Sequence, residues 1–272
     1  MWQRFITGAL LILFLIAVLI LGGYVFGTVA LLVCGLCVFE EQSAMKRGGH
    51  HPVSWPVFAA LLLCAPLMLF VRPLAIVPVL MLTCFITIFA VMRRDKPDLT
   101  DVMVSLLPLL TIVLPGLCLI SLSGVAPRAM QAMLTTFVFT VSVGSDVFAL
   151  FTGTWIGGPK LCPNISPKKT IAGAVGGLVG SVGLTALAGW IFSLCRPALA
   201  VPPLWALLVI GVIGGITAQF GDLLASLVKR YCKVKDFGSL FPGHGGMMDR
   251  MDSILFSAVI IFCTNEVLRY VS

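Results

Sequence analysis

Long runs of apolar residues, separated by short polar segments, follow one another along almost the whole chain. A helix needs about 20 mostly apolar residues to cross the hydrocarbon core of a bilayer. The apolar runs predict nine transmembrane helices, at 5–21, 24–39, 55–71, 74–92, 101–123, 129–151, 171–195, 202–225 and 252–271. The pattern therefore predicts an all-α fold, a polytopic helical bundle in a membrane.

The composition excludes an ordinary soluble protein. Hydrophobic residues make up 59% of the chain and charged residues 11%, whereas a soluble domain has about a quarter charged residues. The mean hydropathy is +1.09. Because no polar segment is long enough for a separate soluble domain, we expect one integral membrane domain. Within it we expect N-terminal scaffold helices over 1–128 and a catalytic half over 129–272.

Lysine and arginine are concentrated in alternate loops. With the N-terminus in the cytoplasm, fourteen of the 18 Lys and Arg residues fall on the cytoplasmic side, as the positive-inside rule requires. The net charge of +7 is then explained by topology, and we expect no nucleic-acid partner. The same orientation places the polar segments 152–170 and 229–251 on the cytoplasmic face.

The first half of the chain offers little chemistry. We interpret 40–54 as a loop, and the spans around it as scaffold, because those spans contain almost no ionisable residue. Pro108 and Pro115 are expected to kink the fifth predicted span. The candidate site is therefore expected in the second half.

Four carboxylates occupy the predicted cytoplasmic ends of three spans: Asp146, Asp222, Asp249 and Asp252. Charges within a membrane are costly and usually face a cavity or a partner. Carboxylates on facing helix ends suit a hard cation such as Mg²⁺, which takes oxygen ligands and bridges phosphate oxygens. The alternative is a buried ion-pair network, such as Asp222 with Arg230 or Asp249 with Arg250.

Helical spacing and glycine turns extend this candidate site. If the eighth span continues past Asp222, then Gln219, Ser226 and Lys229 lie on the same helical face as that carboxylate. The turn at 242–246, Pro-Gly-His-Gly-Gly, offers backbone N–H groups to an anion, and His244 either contacts a phosphate or caps the turn. The glycines of the seventh span are expected to permit close helix packing instead.

The segment SLVKRYCKVKDFGSLFPGHGGMMDRMD, residues 226–252, resembles the signature of the phosphatidate cytidylyltransferases, the CDP-diacylglycerol synthases. The family pattern is Ser, two residues, Lys-Arg, four residues, Lys-Asp, then Pro-Gly-His-Gly-Gly, two residues, Asp-Arg, one residue and Asp. Every position matches. The resemblance extends upstream through 219–223 and ISPKKT to Asp146, and more loosely to the N-terminal RFITGAL.

The resemblance implies a nucleotidyltransferase that converts CTP and phosphatidic acid into CDP-diacylglycerol and pyrophosphate. It implies Mg²⁺, with a second cation such as K⁺ left open, a homodimer, contact with membrane lipids, and a bacterial inner membrane with the active site facing the cytoplasm. The implied catalytic residues are Asp222, Lys229, Arg230, His244, Asp249 and Asp252. The implied substrate-binding residues are Lys168, Lys169, Ser226, Lys235, Gly245, Gly246 and Arg250. The implied metal ligands are Asp146, Asp222, Asp249 and Asp252.

The chain departs from the family pattern at Leu150, Thr154, Ala172 and Ala225. These departures leave open a related CTP-dependent enzyme that acts on another lipid, of the CDP-archaeol synthase or polyprenol kinase type. An ion-coupled transporter is a more distant alternative, because it predicts carboxylates near the bilayer midplane and inverted repeats. The aspartates of this chain are instead predicted near one face.

Overall fold

The computed structural model describes residues 2–71, 73–241, 243 and 245–271. Within these ranges, the first half contains six α-helices: α1 (Trp2–Leu21), α2 (Gly23–Arg47), α3 (Trp55–Phe70), α4 (Ile76–Met92), α5 (Leu99–Pro108) and α6 (Leu114–Ser121). The second half contains α7 (Arg128–Trp155), strands β1 (Lys160–Cys162) and β2 (Ser166–Thr170), and then α8 (Ile171–Cys195), α9 (Leu204–Tyr231) and α10 (Met248–Val271).

Apolar helices of membrane-spanning length dominate the fold. Seven helices in the described ranges are long and apolar enough to cross a bilayer, and two shorter apolar helices lie at Gly8–Leu21 and Trp55–Phe70. These helices coincide with the nine runs predicted from the sequence. The chain is therefore a polytopic helical membrane protein, as predicted, whereas the number of spans and their orientation stay predictions.

The chain divides into two compact units. The first contains the residues up to Gly124 together with Val228–Met251. The second contains Val125–Leu227 together with the residues from Asp252 onward. Helices α9 and α10 each supply residues to both units. The predicted roles of the two halves, a scaffold over 1–128 and a catalytic half over 129–272, stay predictions.

Helix α2 corrects the first part of the predicted loop over 40–54, whereas residues 48–54 are irregular as predicted. Two glycines with positive φ, Gly22 at 47° and Gly23 at 54°, form the corner from which α2 starts, a conformation that glycine adopts without steric cost. The helix then continues to Arg47 and buries Glu40 and Glu41. The prediction was wrong here because polarity was taken as a loop signal, whereas both acidic side chains face the interior of the first unit.

The fifth predicted span is interrupted where its two prolines lie. Helix α5 ends at Pro108, a π-helical turn covers Leu109–Val113, and α6 follows with Pro115 in its first turn. Proline lacks the N–H that continues an α-helical ladder, and π-turns accommodate such interruptions. The hydroxyl of Thr111, within the π-turn, donates to Glu41 Oε2 at 2.8 Å.

The polar segment 152–170 contains regular secondary structure. Helix α7 extends to Trp155, and β1 pairs antiparallel with β2 in a small hairpin. At the end of the hairpin, the hydroxyl of Thr170 accepts a hydrogen bond from the N–H of Gly173 at 3.0 Å and caps α8. The sequence analysis missed this hairpin, because a short pair of strands carries a weak periodic signal.

Close packing of α7 against α8 explains the glycines of α8. A Cβ atom added at Gly176 would lie 2.1 Å from Thr152 Oγ1, and one at Gly180 would lie 2.5 Å from Phe148 Cβ. At these distances a side chain on α8 would collide with α7, so the two helices could not pack as closely. The prediction that these glycines serve helix packing is confirmed.

Cys232 gives a test of packing in the first unit. Its side chain is buried, its Sγ lies 3.3 Å from Met45 Sδ, and burial raises the pKa of its thiol to about 11. Because the thiolate is the reactive form, we expect a maleimide to label the exposed Cys195 at pH 8 while Cys232 stays unlabelled. Mass spectrometry of labelled membranes measures this. Cys232 should react after denaturation in detergent, and equal labelling before denaturation would contradict the packing.

Candidate active site

An ion pair between β2 and α9 lies at a cavity in the second unit. Lys169 Nζ lies 2.5 Å from Asp222 Oδ2, and the two side chains are 27% and 29% exposed. A pair this accessible is screened by water and can exchange partners at little cost. Lys169 and Asp222 were predicted to act on phosphate and metal, and the structure brings them together.

The cavity has a volume of about 530 Å³. Helix α7, the hairpin, α8 and α9 all contribute to its walls. Its polar lining consists of Asp146, Thr154, Lys160, Lys168, Lys169, Thr170, Gln219 and Asp222. Two carboxylates and three lysines thus face one space that is otherwise apolar. Such an apolar pocket with a few convergent polar groups is typical of a ligand site.

Helix α9 orients its share of this wall. The helix continues past Asp222 to Tyr231, as required if Gln219, Ser226 and Lys229 are to lie on the same face as Asp222. Gln219, one turn before Asp222, donates from Nε2 to the carbonyl oxygen of Ala174 at 2.9 Å and so ties α9 to α8. This contact fixes the face of α9 on which Asp222 reaches the cavity.

Ser253 connects Asp146 with the start of α10. Its hydroxyl donates to Asp146 Oδ2 at 2.9 Å and lies 2.8 Å from the hydroxyl of Ser142. Because the Ser253 hydroxyl has one proton, Ser142 is the donor in this second contact. The N–H of Ser253 also donates to Oδ1 of Asp252, which is buried. The sequence analysis missed Ser253, since an uncharged residue inside an apolar helix carries no signal of its own.

The first unit holds a second, more buried ion pair. Lys229 Nζ lies 2.8 Å from Asp249 Oδ1, with side chains that are 16% and 4% exposed. The other oxygen, Asp249 Oδ2, accepts hydrogen bonds from the N–H groups of Phe237 at 2.9 Å and Gly246 at 3.0 Å. The Lys229 ammonium also lies 5.4 Å from the ring centroid of Phe237. Asp249 therefore organises the glycine turn that precedes it.

The glycine turn is shaped by positive φ angles. Gly243 has φ 78° and Gly245 has φ 82°, values that L side chains rarely adopt. The turn was predicted to present N–H groups to a phosphate. In the structure the N–H of Gly246 donates to a carboxylate of the chain itself, Asp249 Oδ2. The substrate-binding roles of Gly245 and Gly246 stay predictions.

The remaining predicted residues have varied environments. Arg230, Lys235 and Arg250 are exposed, Ser226 is half-buried, and His244 lies outside the described residues. Of the departures from the family pattern, Leu150 and Thr154 line the cavity. Ala225 is buried and Ala172 is half-buried. These two departures thus face the candidate ligand site.

The donor set at the cavity fits a magnesium ion. Within the described part of the chain, no three His, Cys, Asp or Glu side chains cluster as a metal site. Mg²⁺ does not require such a cluster, because it usually keeps several waters and is held by one or two carboxylates together with substrate phosphates. Asp146 and Asp222 supply two carboxylates to one cavity.

Comparison with known proteins assigns the chain to a family of transferases. The family model for the cytidylyltransferase family matches residues 2–268. The chain belongs to the cytidylyltransferase family.

Curated relatives point to one group within that family. A phosphatidate cytidylyltransferase of Rickettsia bellii is 35% identical over 176 residues, 64% of this chain and 75% of the relative. Proteins of the same name from Brucella abortus biovar 1 and Staphylococcus saprophyticus are 40% and 43% identical, over 46% and 44% of this chain. In both cases the match spans 44% of the relative. The family resemblance inferred from residues 226–252 is confirmed.

Proposed function

We propose that the chain transfers the cytidylyl group of CTP to phosphatidic acid, forming CDP-diacylglycerol and releasing pyrophosphate. The observation that carries this proposal is the cavity at which Asp146, Asp222, Lys168 and Lys169 converge. The names of the relatives supply the substrates. The reaction requires a site where a soluble nucleotide meets a lipid headgroup. Further parts of the proposal are nine spans, a cytoplasmic N-terminus, a bacterial inner membrane and a homodimer.

The chemistry needs charge neutralisation more than a general base. A phosphate oxygen of phosphatidic acid attacks the α-phosphorus of CTP, and the bond from that phosphorus to the pyrophosphate oxygen breaks. The attacking phosphate is already ionised near neutral pH. The protein therefore has to hold several negative groups together and orient them for in-line displacement.

Residues of the cavity are suited to this task. Asp146 and Asp222 would hold Mg²⁺, which when bound neutralises and orients phosphate oxygens. Lys168 and Lys169 neutralise the remaining phosphate charge. Because the pair between Lys169 and Asp222 is part-exposed, Lys169 can turn to a phosphate without leaving a buried carboxylate unpaired. Metal binding by Asp249 and Asp252, phosphate binding by Lys229 and Arg230, and a second cation such as K⁺ belong to the same proposal.

Purified protein with CTP, phosphatidic acid and Mg²⁺ is expected to release pyrophosphate in proportion to CDP-diacylglycerol. Chelation with EDTA should stop the reaction and added Mg²⁺ should restore it, because the phosphates otherwise lack a counter-cation. Pyrophosphate release coupled to an enzymatic assay measures both effects. ATP in place of CTP, and diacylglycerol in place of phosphatidic acid, are the matched controls. A folded protein that produces no pyrophosphate would refute the proposed function.

A further inference from the structure

Glu40 is a buried carboxylate in the half of the chain that was predicted to be scaffold. It lies on α2 and is 7% exposed. A buried carboxylate is costly unless donors satisfy it. The donor is a backbone amide: Glu40 Oε2 accepts a hydrogen bond from the N–H of Met248 at 2.9 Å. Glu40 therefore contacts the start of α10, within the first unit.

The Glu40 carboxylate provides a hydrogen-bond acceptor for the Met248 N–H, which has no acceptor within α10. Met248 is the first residue of α10, and the first N–H groups of a helix have no acceptor within it. Negative charge is also favourable at that end of a helix. Glu40 thus fixes the start of the helix one residue before Asp249.

Two glycines make room for the Glu40 carboxylate. A Cβ atom added at Gly238 would lie 2.3 Å from Glu40 Oε1, and one at Gly246 would lie 2.3 Å from Oε2. No side chain fits at either position without displacing the carboxylate. The Glu40 carboxylate consequently lies between the backbone at Gly238, which precedes the glycine turn, and the backbone at Gly246, the last residue of that turn.

The same backbone holds Asp249. Gly246, which contacts Glu40, donates its N–H to Asp249 Oδ2, and Phe237, beside Gly238, donates to the same oxygen. Arg47 lies two turns after Glu40 on α2, and its Nη2 donates to the carbonyl oxygen of Phe237. Helix α2 therefore hydrogen-bonds the backbone at Phe237 and at Met248. The N–H groups of Phe237 and Gly246 in turn position the Asp249 carboxylate.

We propose that Glu40 is a positioning residue for the reaction: it fixes the glycine turn and the start of α10, and thereby holds Asp249 in place. Glu40 acts through Gly246 and Met248, without touching a substrate. Its effect on turnover rests on the proposed function. Its effect on the 237–248 backbone follows from the hydrogen bonds and can be measured in the protein without substrates.

Glu40→Ala and Glu40→Gln test this role against Glu41→Gln. Glu41 is the matched control, because it is the adjacent buried glutamate of the same helix and bonds Thr111 instead of the glycine turn. In hydrogen–deuterium exchange of the full chain in detergent, Glu40→Ala should speed exchange in peptides covering 237–248 by about tenfold or more. Glu40→Gln should give a smaller increase, because its amide oxygen still accepts from Met248. Glu41→Gln should leave these peptides as in the parent chain.

Turnover supplies the second readout. Residues that position a ligand typically change activity or metal affinity by about 10–100-fold, so Glu40→Ala should lower kcat and raise the half-saturating Mg²⁺ concentration by about tenfold. A purely structural defect would lower the active fraction and leave the Mg²⁺ requirement unchanged. Glu40→Gln should recover part of both effects.

The outcomes separate this inference from the proposed function. An inactive parent chain would refute the proposed function, and exchange over 237–248 would still decide whether Glu40 holds the turn. Parent-like exchange and an unchanged Mg²⁺ requirement in Glu40→Ala would overturn the inference. If Glu40→Ala speeds exchange in every helix, the comparison of Glu40→Gln with Glu41→Gln decides. A larger increase in exchange over 237–248 in Glu40→Gln than in Glu41→Gln supports the inference. An equal increase overturns it.

Discussion

Asp222→Asn is expected to lower cytidylyl transfer by at least about 100-fold, the scale of removing one electrostatic contact to a transition state. The substitution keeps the shape of the side chain and removes the charge that faces the cavity. Folding should be little affected, because the pair with Lys169 is more than a quarter exposed on both sides, and such pairs contribute about 0–1 kcal/mol. Pyrophosphate release and thermal unfolding in detergent measure the two effects separately.

Asp95→Asn is the control for this substitution. Asp95 is an exposed carboxylate in the segment between α4 and α5 and is not among the residues that line the cavity, so its neutralisation makes the same change in net charge without altering the cavity lining. We expect parent-like turnover from it. Near-normal turnover in Asp222→Asn would remove Asp222 from the proposed metal site and leave Asp146 as the candidate carboxylate in that cavity.

The two ion pairs differ in a way that no sequence pattern reveals. The sequence predicts that Gln219, Asp222, Ser226 and Lys229 share one face of α9, because positions three and seven residues apart lie on one face of any helix. The pairing of Asp222 with Lys169 and of Asp249 with Lys229 depends on contacts between distant parts of the chain. Their exposure, which decides what each pair contributes, depends on packing.

The helices themselves could be predicted well, because a membrane span carries a strong local signal of length and hydropathy. Glu40 could not be predicted in this way. Its polarity indicated a loop, and its role comes from donors and glycines more than 190 positions further along the chain. The hairpin was not predicted for another reason: its strands cover only three and five residues, which is too short for a clear alternating pattern.

Asp249→Asn is expected both to destabilise the protein and to reduce turnover by at least about 100-fold. The Asp249 side chain is 4% exposed and that of Lys229 is 16% exposed. Removing one partner of a buried pair typically costs about 3–5 kcal/mol, because the other charge stays buried and unpaired. The new amide also places an NH₂ group against either Lys229 or the N–H groups of Phe237 and Gly246. Thermal unfolding should therefore move to a lower temperature.

The double variant Asp249→Asn/Lys229→Met separates the two roles. Met keeps most of the apolar stem and leaves no unpaired charge, so we expect most of the lost stability to return. Turnover should stay low, because the carboxylate is still missing. Asp101→Asn is the matched control: it breaks the partly buried pair with Arg94 and should lower stability while the remaining folded protein keeps its turnover. If the double variant regained both stability and turnover, Asp249 would act only as the counter-ion of Lys229, and its proposed role as a metal ligand would be wrong.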